Sequence, residues 1–150
     1  MKSKSTFNTF GFVSQGVCIL DFGATDHMIP FFSLFASYSK TNTKQFITVA
    51  NGNNVSIIGS NSIQLEHSIF LHNVLHVTKL ANNLISIQKL TMNLNCLVTF
   101  FHSYCSFQEL ATGKTILIAK KQGGLYFLKQ KGDGDKNMES TLSHHAKTDT

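Results

Sequence analysis

From residue 17 to about 77 the apolar residues fall in short runs with turn formers between them. The run at 17–21 (VCILD) ends at a turn, and 45–50 (QFITVA) alternates and carries β-branched residues. Asn51-Gly52 follows it, a strong short-range hairpin signal. The runs at 54–59 (NVSIIG), 62–66 (SIQLE) and 69–77 (IFLHNVLHV) continue the series. Such even spacing predicts a small closed β-barrel rather than βαβ units. One or two turns of helix are expected at 33–38 (SLFASY). The period then changes: in 82–92 (NNLISIQKLTM), Leu84, Ile87 and Leu90 recur at helical spacing behind the polar Asn82-Asn83 start. Strands resume at 96–101, 115–119 and 124–128, with turns at 111–114 and 122–124. From 129 onward the chain is polar and charge-balanced, which predicts a disordered tail. The expectation is a mostly β fold: an N-terminal lead (1–16), a barrel domain with one short helix (17–92), a short β extension (93–128) and a polar C-terminal tail (129–150).

Composition narrows the function classes. With 150 residues, 42% of them hydrophobic and 13 phenylalanines, the chain can build a real core in one domain. The formal charge of +5 comes entirely from scattered lysines, because the sequence holds no arginine. Bidentate phosphate and guanine contacts favour arginine, so direct sequence-specific nucleic-acid binding is not expected. Cys18, Cys96 and Cys105 form no C-x-x-C pair and are odd in number, as reduced thiols in an intracellular, cytoplasmic protein would be. No run reaches the roughly 18 apolar residues of a membrane helix, so no membrane association is expected.

One stretch carries candidate chemistry: 18–28 (CILDFGATDHM), where an apolar run delivers Asp21 into Phe22-Gly23. A kinase also uses Asp-Phe-Gly, but only downstream of a glycine-rich loop, a strand lysine and a His-Arg-Asp loop. The 20 residues before Asp21 and the lack of arginine exclude it. An aspartic protease instead needs two carboxylates sharing one proton. The β-rich region offers only Asp21 and Asp26 as aspartates, on one short segment, so a dyad requires two chains each contributing Asp21 across a two-fold axis.

Several blocks in order carry a resemblance: ILDFGATDHM (19–28), Phe35–Tyr38, VANG (49–52), NVLHVTKLANNLISIQKL (73–90) and GLYFL (124–128). Together they resemble the protease region of copia-type (TNT-like) retrotransposon Pol polyproteins, over residues 17 to about 128. The resemblance implies a retropepsin-like barrel acting as an obligate homodimer on polyprotein peptide, without a cofactor or metal. Asp21 corresponds to the catalytic aspartate. Phe22, Gly23, Ala24 and Thr25 form its loop, and His27 matches the histidine that follows. Val49, Ala50, Asn51 and Gly52 resemble the substrate-covering flap, and Leu84 with the following residues the short helix that closes the barrel. Residues 96–128 resemble the junction leading to integrase, and 142–145 (LSHH) the histidine end of its zinc finger.

Two positions depart from the family pattern. Position 22 is normally serine or threonine, whose hydroxyl reaches the partner's loop, and Thr78 stands where proline is usual. A phenylalanine offers no donor, which costs about 1 kcal/mol per lost hydrogen bond, twice in a symmetric dimer. The expected function is an aspartic-type endopeptidase impaired by Phe22; the alternative is a non-catalytic barrel that dimerises or binds peptide. Other residues invite lesser readings. His72 and His76 on a strand would stand about 13 Å apart, too far to share a metal. Asp26 fits an Asx turn, Phe31, Phe32 and Phe35 fit core filling, and Lys120-Lys121 a solvated turn.

Overall fold

The computed structural model describes residues 16–129. The expected lead, apart from Gly16, and nearly all of the expected disordered tail, including the histidines at 144–145, lie outside the described residues. The run at 17–21 forms β1 (Val17–Asp21), and a short β2 (Met28–Ile29) follows the Asp21 loop. A 3-10 turn (Phe32–Leu34) leads into two long strands, β3 (Phe35–Thr48) and β4 (Asn54–Glu66), and then β5 (Ile69–His76). After β6 (Asn83–Ser86) comes the helix α1 (Ile87–Leu94). The remaining strands are β7 (Cys96–Phe100), β8 (Tyr104–Glu109), β9 (Thr115–Gln122) and β10 (Leu125–Lys129).

All ten strands join one sheet, in the order β3-β4-β5-β2-β6-β1-β10-β9-β8-β7. The chain is mostly β with one short helix, as its pattern predicts, but the sheet is not closed. β3 and β7 are its two edges. The physical reason lies at β1, which pairs in parallel with β6 on one side and antiparallel with β10 on the other. The late strands therefore occupy the edge that a closed barrel of the first six would need. Buried side chains from both halves, among them Leu20, Ile63, Ile85, Phe107 and Leu128, form one core cluster.

Four local expectations differ from the structure. The runs at 54–59 and 62–66, expected as separate strands with a turn between them, are one continuous β4, because Ser60 and Asn61 pair with β3 on one side and β5 on the other. Residues 35–38 extend β3 instead of forming helix, because Phe35 pairs with Ile63 and Tyr38 with Asn61 on β4. Residues 83–86 are a strand because they fill the gap between β1 and β2; the helix starts only at Ile87, and of the helical-spaced trio only Ile87 and Leu90 are buried on it. Asn51-Gly52 does not make a two-residue hairpin. It sits at the tip of a longer loop closed by Val49 and Asn53, where the Val49 N–H donates to the Asn53 carbonyl (2.9 Å), and Gly52 takes a φ of +89°.

At the base of the β3–β4 hairpin an aromatic group locks the two strands. The Tyr38 hydroxyl hydrogen-bonds His76 Nδ1 at 2.7 Å, and His76 Nε2 donates to the Pro30 carbonyl at 3.2 Å. Phe35 packs at 5.2 Å from the Tyr38 ring, and the largely exposed Phe32 at 4.8 Å. Phe31 and Phe35 also border the core, whereas Phe32 does not fill it. The Tyr38 ring lies so close over Gly59 that a Cβ there would collide with its Oη and Cζ atoms. Gly59→Ala is therefore expected to push Tyr38 off His76. The lost hydrogen bond and the overpacking should together cost roughly 2–4 kcal/mol, read as a lowered urea midpoint with an unchanged slope.

Candidate functional site

Asp21 is the last residue of β1, where the parallel register places it beside Ser86, the last residue of β6. It is half-buried, and its Oδ1 accepts a hydrogen bond from the Gly23 N–H at 2.8 Å. The bend that follows does not depend on glycine. Gly23 has no positive φ, and a Cβ on it would make an ordinary 3.6 Å contact with Asp21 Oδ1. Asp21 and Phe22 help line an open depression of about 460 Å³, together with apolar residues that include Ile19, Leu80, Leu84 and Leu125. Leu84, expected in the helix, thus reaches the site from a strand.

The loop has an outer and an inner side. Phe22, Gly23 and Thr25 are exposed, while Ala24 and His27 are buried. The Phe22 ring is 64% exposed and leans on Phe100 of β7, with ring centroids 5.3 Å apart. It therefore does not crowd the loop of its own chain. Phe100 in turn meets Tyr126, over which Lys121 places its ammonium at 5.7 Å; Lys120 and Lys121 lie on β9 and not in a turn.

The inner side is tied to the start of α1. Ser86 is the N-cap, its Oγ accepting from the Lys89 N–H at 3.1 Å. The same hydroxyl donates to the Ala24 carbonyl at 2.7 Å, and the Ser86 N–H donates to His27 Nδ1 at 3.0 Å. The His27 carbonyl accepts from the Leu75 N–H at 2.9 Å. The helix has no acidic residue in its first turn, and the Asp26 carboxylate of the loop pairs with the Lys89 ammonium at 3.3 Å. Asp26 also accepts from the Thr25 hydroxyl at 3.2 Å, so its carboxylate is engaged by these partners while Asp21 borders the depression.

The flap-like residues Val49, Ala50, Asn51 and Gly52 lie at the tip of the β3–β4 hairpin, away from the strands that carry the loop. His72 and His76 each have a partner of their own, Ser62 Oγ at 2.8 Å for the first and Tyr38 with Pro30 for the second. Sequence reasoning missed Ser86 and Lys89 as neighbours of the loop. The available signal was a serine just ahead of the apolar helix positions, a residue type favoured at N-caps, which marks a cap but not what the cap touches.

Because Nδ1 of His27 accepts a hydrogen bond, the ring is neutral with its proton on Nε2, and that nitrogen has no partner among the described residues. Burial, and secondarily the Lys89 charge, lower its pKa from 6.5 to about 4, against a smaller opposing pull from Asp26. The unfolded chain thus takes up this proton near pH 6.5, before the folded one does. The contribution of His27 to stability is complete above pH 6.5 and falls away as the pH drops toward 4. It should amount to about 3 kcal/mol in all. Urea unfolding of the natural chain and of His27→Asn from pH 7 to pH 4 is expected to show the natural chain losing this extra amount.

Comparison with known proteins places this geometry. Residues 18–95 match the family model described as the Pol polyprotein β-barrel domain. The chain is 31% identical over 111 residues to the retrovirus-related Pol polyprotein from transposon RE1 of Arabidopsis thaliana. It is 29% identical over 111 residues to the corresponding polyprotein from transposon RE2 of the same plant. Each alignment covers 72% of this chain and 8% of the relative, so the chain spans a small part of either polyprotein. The matched region begins one residue into β1 and ends at the cap of α1, taking in the Asp21 loop and every residue that ties it down. The chain belongs to the Pol polyprotein β-barrel domain family of retrotransposons.

Proposed function

We propose that the chain is an aspartic-type endopeptidase module of a copia-like Pol polyprotein, acting as a homodimer and weakened by Phe22. The observation that carries this reading is Asp21 itself, a carboxylate at the end of a central strand that lines a mainly apolar depression. One chain supplies one such group. Two chains related by a two-fold axis would supply a pair that shares a proton, the ionised member taking a proton from water while the protonated member donates to the peptide carbonyl. The apolar walls beside Asp21 suit an extended polyprotein segment with a large aliphatic or aromatic side chain.

Phe22 acts on the pair and not on the single chain. Its ring is exposed on Phe100, so a partner's loop would meet an aromatic surface where a hydroxyl would otherwise bridge. A displacement of about 1 Å between reacting groups slows catalysis by about two orders of magnitude. Phe22→Ser is therefore expected to raise cleavage about 100-fold over the natural chain, and Asp21→Asn in that background to abolish it. The assay is cleavage of a mixed peptide library read by mass spectrometry, with sedimentation reporting the dimer. A folded, dimeric Phe22→Ser chain that cuts nothing would overturn the protease reading.

A further inference from the structure

We propose that Ser86 and His27 are positioning residues that anchor the Asp21 loop from within each chain, so that its course is independent of the side chain at position 22. The catalytic consequence rests on the protease reading above; the anchoring itself does not.

Two of the polar contacts that hold the loop from Asp21 to His27 to the body of the protein meet at one buried serine. Ser86 is fully buried. From below it is fixed by the parallel pairing of β6 with β1, opposite Asp21 itself. Toward the helix its Oγ caps the Lys89 N–H at 3.1 Å, and toward the loop the same oxygen donates to the Ala24 carbonyl at 2.7 Å. Its N–H donates to His27 Nδ1 at 3.0 Å. The hydroxyl hydrogen is thus committed to Ala24 and a lone pair to the helix, and the group has a single orientation. His27, also fully buried, closes the far end of the loop through its ring to β6 and through its carbonyl to Leu75. Lys89 adds an outer tie through Asp26 and donates to the Asn73 carbonyl at 3.4 Å.

Phe22 takes part in none of these contacts, since its ring lies on Phe100 outside the loop. Exchanging it leaves Ala24 and His27 where they are. Removing the Ser86 hydroxyl releases Ala24 and uncaps the helix in one step. Removing the His27 acceptor leaves the Ser86 N–H buried without a partner, which is the more costly half of any hydrogen-bond deletion.

The test uses the whole chain and two readouts. Nitrogen-15 relaxation reports loop order, with order parameters near 0.85 for rigid backbone and below about 0.6 for mobile backbone. Ser86→Ala and His27→Leu are expected to move residues 22–25 from the first range toward the second, while the amide of the core residue Phe107 stays protected from exchange. Phe22→Ser is expected to leave the loop order unchanged. His27→Asn, which keeps an acceptor close to the Nδ1 position, is expected to restore most of what His27→Leu loses. In the Phe22→Ser background, Ser86→Ala should lower kcat 10- to 100-fold with KM within about threefold.

Loop order unchanged in both Ser86→Ala and His27→Leu, or lost in Phe22→Ser, overturns the proposal. If Ser86→Ala unfolds the core, the contrast between His27→Leu and His27→Asn decides alone: equal loop disorder in the two overturns it. An inactive Phe22→Ser chain whose loop order still depends on Ser86 would sink the protease reading and leave the anchoring intact.

Discussion

The pairing of β1 between β6 and β10 is the constraint on which the rest of the structure depends. A strand with both edges occupied cannot fray or slide, because a slip of one residue would turn its whole buried set to the other face. Cys18 and Leu20 point into the core, and the next residue on the opposite face is Asp21. The same register puts Ser86 beside Asp21, at the position where β6 becomes α1. Strand end, loop and helix cap are therefore set by one alignment. It also explains the open sheet, since β10 fills the place where β3 would otherwise have to return.

Position 22 shows why magnitude and location must be considered together. A phenylalanine forced into a packed loop would cost roughly 1–3 kcal/mol of strain. Here the ring is exposed and rests on Phe100, so that cost is not incurred within the chain. What remains is the absence of a hydroxyl, about 1 kcal/mol per neutral hydrogen bond, and an apolar surface beside the carboxylate. The stability of the fold is thus separable from the choice of side chain at position 22, and the chain keeps its family's architecture with a phenylalanine there.

Much of the architecture was legible because periodicity records burial. The strands at 17–21 and 69–76 stand where the apolar runs place them, and so do those at 96–100 and 125–129, whereas the runs at 54–59 and 62–66 are joined into one strand. β8 left no such trace. Tyr104, Cys105, Ser106 and Phe107 are buried in succession, so both faces are covered and the alternation that marks a half-exposed strand is missing. The helix boundary was misplaced for a related reason: Asn83–Ser86 form a strand only because β1 and β2 lie on either side, a tertiary fact with no local signal. Near the candidate site, the strand end at Asp21 and the bend after it were legible from the motif. The Ser86 and Lys89 contacts were not, because they join residues about 60 positions apart whose proximity follows from the parallel pairing alone.

The β3–β4 hairpin obeys a different logic from the centre of the sheet. Beyond the pairing of Gly59 with His76, β4 has no neighbour but β3, and no residue from Thr41 to Ile58 is buried. A two-stranded ribbon is marginal by itself in water, so its order is inherited from its base. That base is the group of Tyr38, His76, Pro30 and Gly59, where a hydroxyl, a ring and a backbone without a side chain fit together. From Gly59 to Asn54 the strand reaches roughly 17 Å past it, which makes a small tilt at Tyr38 a large displacement at Asn51 and Gly52. β3 is also an edge, and Lys40, Lys44 and the irregular register between Lys40 and Gln45 blunt it against pairing with another strand. The ribbon is thus kept from adding strands along its side, and the contacts at its base determine where its tip stands.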